Sequence, residues 1–251
     1  MATSIVTAVI PVLNEEATIG SVVSGLMDNG ASEVVVVDNG STDGTVEAAT
    51  AAGARVVFEP RRGYGSACLA GIAAVDRAGV VVFADGDGCD DPKDLPALIE
   101  PIKTGRADMV IGSRLAGRLD PGALPIHSRV GNRIASVMLR LIYGQKASDL
   151  GPFRAIRLDS LKVLRMQDTG FGWTAEMQAK AAMLGLRVVE VPVHYRKRAA
   201  GQSKITGNMM ASIVAGWIII KTLLLTRIRA RHLVRAEQTQ KQEEFVCETE
   251  C

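Results

Sequence analysis

Cysteine is scarce in this 251-residue chain and nowhere clustered. Cys68, Cys89, Cys247 and Cys251 form no C-x-x-C pair, and the last two lie in a polar tail. That spacing argues against a disulfide framework and a zinc site, and makes a reducing compartment the default. An excess of one charge is also missing. The net charge is +2, so nothing draws the chain in bulk to nucleic acid, and no such partner is expected. Met1-Ala2-Thr3-Ser4 lacks a basic segment followed by a long apolar one, which points to a cytoplasmic protein. Glycine is missing where a dinucleotide-binding turn needs it. Val12-Leu13-Asn14-Glu15 has none, and Gly63-Tyr64-Gly65 lacks the third glycine of the fingerprint. There is no internal repeat.

What is present is an alternation of apolar strands and helices. Ile5–Val12 is a strand stopped near Pro11, followed by a helix from Asn14-Glu15-Glu16 with Ile19, Val22, Val23 and Leu26 on one face. Val34–Val37 is a second strand, ended by Asp38 and the turn Asn39-Gly40-Ser41-Thr42-Asp43-Gly44, where Thr42 or Asp43 can cap the next helix. Ala54–Phe58, the run before Asp85, and Met109–Gly112 are further strands, with helices through Ala74 and over about Leu95–Lys103. Such a chain predicts an α/β fold, a mostly parallel sheet with helices on both faces. Ligands of such a sheet bind beyond the carboxyl ends of its strands. Four turns reach that edge: Pro11–Glu15, Asp38–Asp43, Asp85–Asp91 and Gly112-Ser113-Arg114.

The stretch Val80-Val81-Val82-Phe83-Ala84-Asp85-Gly86-Asp87 organises the rest. A buried strand ends abruptly in two carboxylates around one glycine, and both can reach one cation. Two carboxylates fill only part of the coordination sphere of Mg²⁺ or Mn²⁺, leaving water and substrate phosphates to complete it. Taken alone, the same residues also fit an acidic turn with no ligand. An EF-hand fits worse, because the fifth and sixth positions are Cys89 and Asp90.

After Arg114 the pattern changes. Residues 115–125 read as a Gly/Pro-rich loop, and Ser128–Tyr143 as a helix carrying Arg129, Arg133 and Arg140. Asp149-Leu150-Gly151-Pro152-Phe153-Arg154 is a break leading to a short strand. Trp173–Leu184 is a helix with Glu176, Arg187–Val193 a strand, and Tyr195–Lys204 a basic loop. Met209–Leu225 is the most apolar segment, interrupted by Ser212, Gly216, Lys221 and Thr222. Its length, roughly 26 Å at about 1.5 Å per residue, is short for a bilayer. The arginines 227, 229, 231 and 235 follow it. An interfacial helix and a core-packing helix both fit.

The motifs Val9-Ile10-Pro11-Val12-Leu13-Asn14-Glu15-Glu16, Val36-Val37-Asp38-Asn39-Gly40-Ser41-Thr42-Asp43-Gly44-Thr45, the Asp85/Asp87 pair and Ile111-Gly112-Ser113-Arg114 together resemble the family 2 glycosyltransferases, which have the GT-A fold. Asp149–Arg154 and Arg198-Ala199-Ala200-Gly201-Gln202-Ser203-Lys204 resemble the branch that includes dolichyl-phosphate mannose synthase, whose acceptor is a polyprenyl phosphate. The resemblance implies a GT-A domain over 1–205, with a donor half of about 1–114 and an acceptor half of about 115–205. An apolar, basic helix over 206–235 and a disordered tail over 236–251 would follow. It implies that Pro11, Asn14, Glu15 and Asp38 lie near the nucleoside and that Asp85 and Asp87 hold Mg²⁺ or Mn²⁺ on the donor diphosphate. Cys89 stands where this branch often has a metal-binding Gln, and a thiol is a poor Mg²⁺ ligand.

Arg114, Arg129, Arg133, Arg198, Ser203 and Lys204 would hold the anionic acceptor and the departing diphosphate. A phosphate acceptor is already ionised near neutrality and needs no strong base. His127 and His194 are therefore read as structural, and Asp149 as the candidate beside the acceptor, as a weak base or by positioning arginines. Trp173 and Trp217 read as packing or interface anchors, and Glu176 as an acid that orients a basic partner or acts directly. The expected activity is metal-dependent inverting transfer of a hexose from GDP-mannose or UDP-glucose to a polyprenyl phosphate at the inner face of the cell membrane. Two alternatives are a soluble transferase with a small acceptor and an inactive nucleotide-binding protein that recruits partners to membranes.

Overall fold

The computed structural model describes residues 5–198 and 209–229. Ser203, Lys204, the tail over 236–251, and Cys247 and Cys251 lie outside the described residues.

Seven strands form one sheet in the order β3-β2-β1-β4-β6-β5-β7. They are β1 (Val6–Val12), β2 (Glu33–Asp38), β3 (Arg55–Phe58), β4 (Val80–Phe83), β5 (Met109–Leu119), β6 (Arg154–Arg157) and β7 (Val188–Tyr195). All pairings are parallel except those of β6, which runs antiparallel between β4 and β5. The expected division at residue 114 is thus a division of chain, not of structure. A strand from the second half is inserted between two strands of the first, and a single sheet carries both.

Period-two alternation sends the strand side chains to opposite faces. Val6, Ala8, Ile10, Val34, Val36, Val80 and Val82 pack under α1 (Glu16–Asp28) and α4 (Leu95–Lys103). Val9, Val35, Val37, Val81 and Phe83 face α3 (Tyr64–Ala73), α6 (Leu158–Leu164) and α7 (Trp173–Met183). Both faces are covered, so the strands are uninterrupted apolar runs. Trp173 belongs to this packing. It is fully buried, and its ring meets Phe83 edge-on at 5.8 Å.

Several boundaries differ from the sequence reading. Residues 115–119 are not loop, because β5 runs on through a bulge after Ser113 and pairs again with β7 at Arg118–His194 and Leu119–Tyr195. Helix α6 was not expected. Neither Thr42 nor Asp43 is the residue at the cap of α2 (Thr45–Ala51), which is Gly44; Asp43 instead accepts from the Thr45 N–H at 3.1 Å.

A third cluster joins α5 (Ile126–Tyr143), α7 and α8 (Met209–Arg229) through Ala135, Leu139, Ala175, Ala179 and Leu223. Helix α8 therefore packs on the domain. It also leaves Val214, Trp217, Leu224 and Ile228 exposed, and α5 beside it exposes Ile126, Val130, Ile134, Val137 and Leu141. Spacings of four, four, three and four residues place the last five on one stripe. Among the described residues no helix is long and apolar enough to cross a membrane.

Candidate active site

The carboxyl ends of β1, β4, β5 and β7 open on one cavity of about 490 Å³. Glu15 comes from the turn after β1, Asp85 and Asp87 from the turn after β4, Arg114 from β5, and Arg198 from beyond β7. Gly216 and Ile219 of α8 close the far wall.

The turns after β1 and β2 are locked together. Asn14 has φ 53°, a left-handed conformation that Asn tolerates better than most residues. Its side-chain oxygen accepts from the Thr42 N–H at 2.8 Å, while its own N–H donates to Ser41 Oγ. Asp38 Oδ1 accepts from the Ser41 N–H at 2.9 Å. Asn14 and Asp38 thus hold these two turns together rather than line the cavity; Pro11 and Glu15 do line it.

The two carboxylates after β4 are held differently. Asp85 Oδ1 accepts from the Tyr64 hydroxyl at 3.1 Å, whereas Asp87 Oδ1 accepts from the Cys89 N–H and its Oδ2 meets Arg198 Nη1 at 3.1 Å. Burial, and then the charge of Asp87, push the Asp85 carboxyl up to about 7. Asp90, which sequence reasoning did not single out, is buried with neither carboxylate oxygen hydrogen-bonded, and burial followed by the charges of Asp85 and Asp87 raises its pKa well above the usual range. Crowded acids with an unsatisfied member are the electrostatic setting a divalent cation relieves. Among the described residues no group of three or more His, Cys, Asp or Glu has the spacing of a full metal cage. Protein carboxylates that occupy only part of a coordination sphere suit a magnesium-type ion completed by substrate oxygens. Burial and Asp87 push the Cys89 thiol up, and a thiol is a poor ligand for Mg²⁺.

Gly86 is required between the pair, because a Cβ there would sit 2.6 Å from Val12 Cγ1. Gly63 (φ 143°) and Gly65 are pressed against the backbone of Asp168 and Thr169, where a Cβ would approach a carbonyl oxygen to 2.2 and 2.0 Å.

Opposite the acids, Arg114 forks onto Asp149, Nε to Oδ2 at 2.8 Å and Nη2 to Oδ1 at 2.7 Å. Its guanidinium carbon lies 5.1 Å from the centre of the Tyr195 ring. Asp149 is wholly buried and also accepts from the Arg114 N–H and the Asn132 amide. Burial pushes its carboxyl up, but the bonds and charge of Arg114 outweigh that, and the net shift is downward. A carboxylate so engaged fixes the guanidinium of Arg114. Arg198 bridges Glu15 and Asp87.

Arg129 and Arg133 are not brought to the cavity. The face of α5 that lines it carries His127, Ser128, Gly131 and Asn132; both arginines are exposed, and Arg129 Nε donates to the carbonyl of Leu124 at the cavity's rim at 3.0 Å. Glu176 is also remote. It pairs with Lys180 at 2.7 Å and accepts from the backbone N–H groups of Gln167 and Asp168. Of the two histidines expected to be structural, His194 has its Nε2 2.9 Å from Asp120 Oδ1, whereas His127 lines the cavity.

A mostly parallel sheet with an inserted antiparallel strand, and acids facing arginines across its carboxyl edge, defines a nucleotide-sugar transferase of the GT-A class. Residues 7–165 match the family described as glycosyl transferase family 2, and the chain belongs to that family. An uncharacterized glycosyltransferase of Mycobacterium tuberculosis is 39% identical over 217 residues, covering 86% of this chain and 96% of that protein. The dolichyl-phosphate hexose transferase of Haloferax volcanii is 34% identical (86% and 92% covered), and the undecaprenyl-phosphate mannosyltransferase of Micrococcus luteus is 32% identical (83% and 90% covered). Among solved structures, glucosyl-3-phosphoglycerate synthase from Mycobacterium tuberculosis, in complex with Mn²⁺, UDP and phosphoglyceric acid, superposes with a TM-score of 0.72 at 26% identity, covering 90% of this chain and 79% of that one.

Proposed function

We propose that this glycosyltransferase moves a hexose, with inversion, from a nucleotide sugar to a polyprenyl phosphate at a membrane surface. The observation that carries the acceptor class is the position of the cavity. Its far wall is α8, and α8 and its neighbour α5 expose apolar residues flanked by Arg129, Arg133, Arg140 and Arg227. An apolar face bordered by cations suits a helix pair lying on an anionic bilayer. A lipid phosphate could then enter the cavity while its chain stays in the membrane. The named acceptors of the Haloferax and Micrococcus relatives support the same class.

Asp85 and Asp87 would hold Mg²⁺ or Mn²⁺, which, when bound, neutralises charge on the departing diphosphate. The chain's own residues supply the rest. Tyr64 and the Cys89 N–H orient the two carboxylates. Glu15 faces the ribose hydroxyls, and Arg198 exchanges its bonds to Glu15 and Asp87 for phosphate oxygens as the donor enters. Arg114, held rigid by Asp149 and Tyr195, receives the acceptor phosphate. That phosphate attacks the anomeric carbon as an oxyanion, so no general base is required. Ser203 and Lys204, with the basic loop, complete the acceptor side in this reading, and GDP-mannose and UDP-glucose remain the two donors to test.

A second reading has its own support. The superposed synthase is crystallised with phosphoglyceric acid, a small soluble phosphorylated acceptor that the same arginines could hold. Incubating the purified protein with each labelled sugar nucleotide, plus either a polyprenyl phosphate or 3-phosphoglycerate, separates the readings. Label passing into the organic phase only with the lipid supports the first. Label in a soluble phosphate ester only, with none in lipid, defeats it.

A further inference from the structure

We infer that a second cavity, on the other side of α8 from the active site, is a binding site for a phosphate ester. Its volume is about 390 Å³, within the range of small-ligand sites. The cavities share no lining residue, but each uses α8: Gly216 and Ile219 face the active site, and Lys221, Thr222 and Arg229 face the second cavity.

Charge in the second cavity is unevenly satisfied. Lys180 is spent on Glu176, and its ammonium also donates to the Arg165 carbonyl at 2.6 Å. Glu176 accepts from two backbone N–H groups besides. Asp168 accepts from the Gly170 N–H at 2.8 Å and lies 3.2 Å from Thr222 Oγ1. Glu176 is therefore neutralised by Lys180, while Asp168 is held by neutral donors and keeps its charge. Arg165, Lys221 and Arg229 also line this cavity, and among the described residues none of their cationic groups has an ion-pair or hydrogen-bond partner. The lining thus holds four cations, Arg165, Lys180, Lys221 and Arg229, against two carboxylates, Asp168 and Glu176, and the excess positive charge, carried on two guanidinium forks and an ammonium, matches the oxygens of a phosphate.

The backbone at Arg165 fixes where that side chain starts. Its φ of 45° ends α6 in the left-handed region, a position ordinarily given to Gly or Asn. The strained backbone is fixed by the buried Lys180 bond to its carbonyl, and the side chain lies on the cavity. The bound group would tie α8 to the strap at 165–168, and so hold in place the helix that walls the active site. A free phosphate ester and a phospholipid headgroup present the same chemistry.

The test uses the full chain in two arms, with UDP and Mg²⁺ present throughout. In one, glycerol 3-phosphate is titrated calorimetrically. In the other, the protein is co-sedimented with phosphatidylcholine vesicles containing or lacking phosphatidylglycerol. Arg165→Gln and Lys221→Gln should each weaken the phosphate-dependent signal about fivefold, the effect of one cation at an anionic surface. Arg165→Lys should restore part of it, and Lys103→Gln, at an exposed lysine that lines neither cavity, should leave it unchanged. Loss in the first arm identifies a soluble ester. Loss confined to the phosphatidylglycerol-dependent part of the second identifies a headgroup. Gln variants that bind like the wild type in both arms overturn the site. Lys221 is exposed, so its variant remains informative should Arg165→Gln fold poorly. The comparison with wild type isolates this cavity whichever phosphorylated acceptor the active site takes, because Arg165 and Lys221 line it and not the active site.

Discussion

Replacing Asp149 with Asn separates the two roles that a buried acid beside the acceptor can have. The side chain keeps its shape and can still accept some of the bonds from Arg114 and Asn132, but the counter-charge is gone. Asp149 is fully buried and Arg114 is 12% exposed, so the remaining cation cannot readily regain water. Breaking a buried pair on one side costs about 3–5 kcal/mol. At about 2–4 °C per kcal/mol for a domain of this size, the expected fall in Tm is about 6–20 °C. The sign of the pH dependence follows from the depressed carboxyl of Asp149. Its contribution is present above the unfolded value of about 3.9 and disappears as pH falls through the lower folded value. The wild-type advantage in Tm should therefore be flat from neutrality to about pH 5 and shrink below about pH 4. Turnover should fall with no new pH dependence between 6 and 9. Arg114→Met with Asp149→Leu should recover stability without recovering activity, because an apolar replacement of both partners removes the orphaned charge along with the phosphate ligand. Thermal unfolding against pH, with initial rates on a phosphorylated acceptor, measures all of this. An Asp149→Asn protein of unchanged Tm whose lost rate returns with rising pH would refute positioning and make the residue a base.

Asp87→Ala should abolish Mg²⁺- or Mn²⁺-dependent donor binding while leaving Tm near the wild-type value, since the residue lies at the sheet edge; donor titration with and without EDTA measures it. Gly86→Ala should cost about 1–3 kcal/mol, because its methyl group would overlap Val12 Cγ1, and chemical denaturation reads the loss directly. Cys89→Ala should leave metal-dependent donor affinity unchanged, and a collapse would reveal a role for the buried thiol. Ile134→Glu on the exposed stripe of α5 should change stability by no more than about 0.5 kcal/mol yet reduce co-sedimentation with vesicles. Retained vesicle binding would remove α5 from the membrane surface.

The donor side of the site was legible in sequence because buried parallel strands are apolar along their whole length. Polar residues break these runs at the carboxyl edge: Asp85 after β4 and Arg114 within β5 line the cavity, and Asp38, which closes β2, braces the turn beside it. Asp90 was less legible, because in sequence it is one of several acids in a turn, and only its burial without a partner sets it apart. The pairing of Arg114 with Asp149 depends on where β6 lies. Four residues, Arg154–Arg157, carry no sign of their neighbours, and the insertion of β6 between β4 and β5 brings the segment before it to the sheet edge. Arg129 and Arg133 were assigned by charge, yet phase around α5 governs where they point.

Helix α5 shows why that phase was hidden. It has two candidate apolar faces, and the larger side chains, Ile126, Val130, Ile134, Val137 and Leu141, are on the one left exposed. Buriable area alone predicts that this face turns inward. The face that does so presents Ala135, Ser136 and Leu139 to a layer shared with Ala175 and Ala179 of α7 and Leu223 of α8. Small residues there let three helices approach closely, and the same approach puts Ile219 of α8 into the wall of the active site. Turning the larger face inward would separate α8 from α7 and open that wall to solvent. The exposed stripe is thus tied to the closed cavity. The packing that completes the catalytic chamber leaves an apolar surface beside its mouth, and a lipid-linked acceptor is a substrate for which both features are useful together.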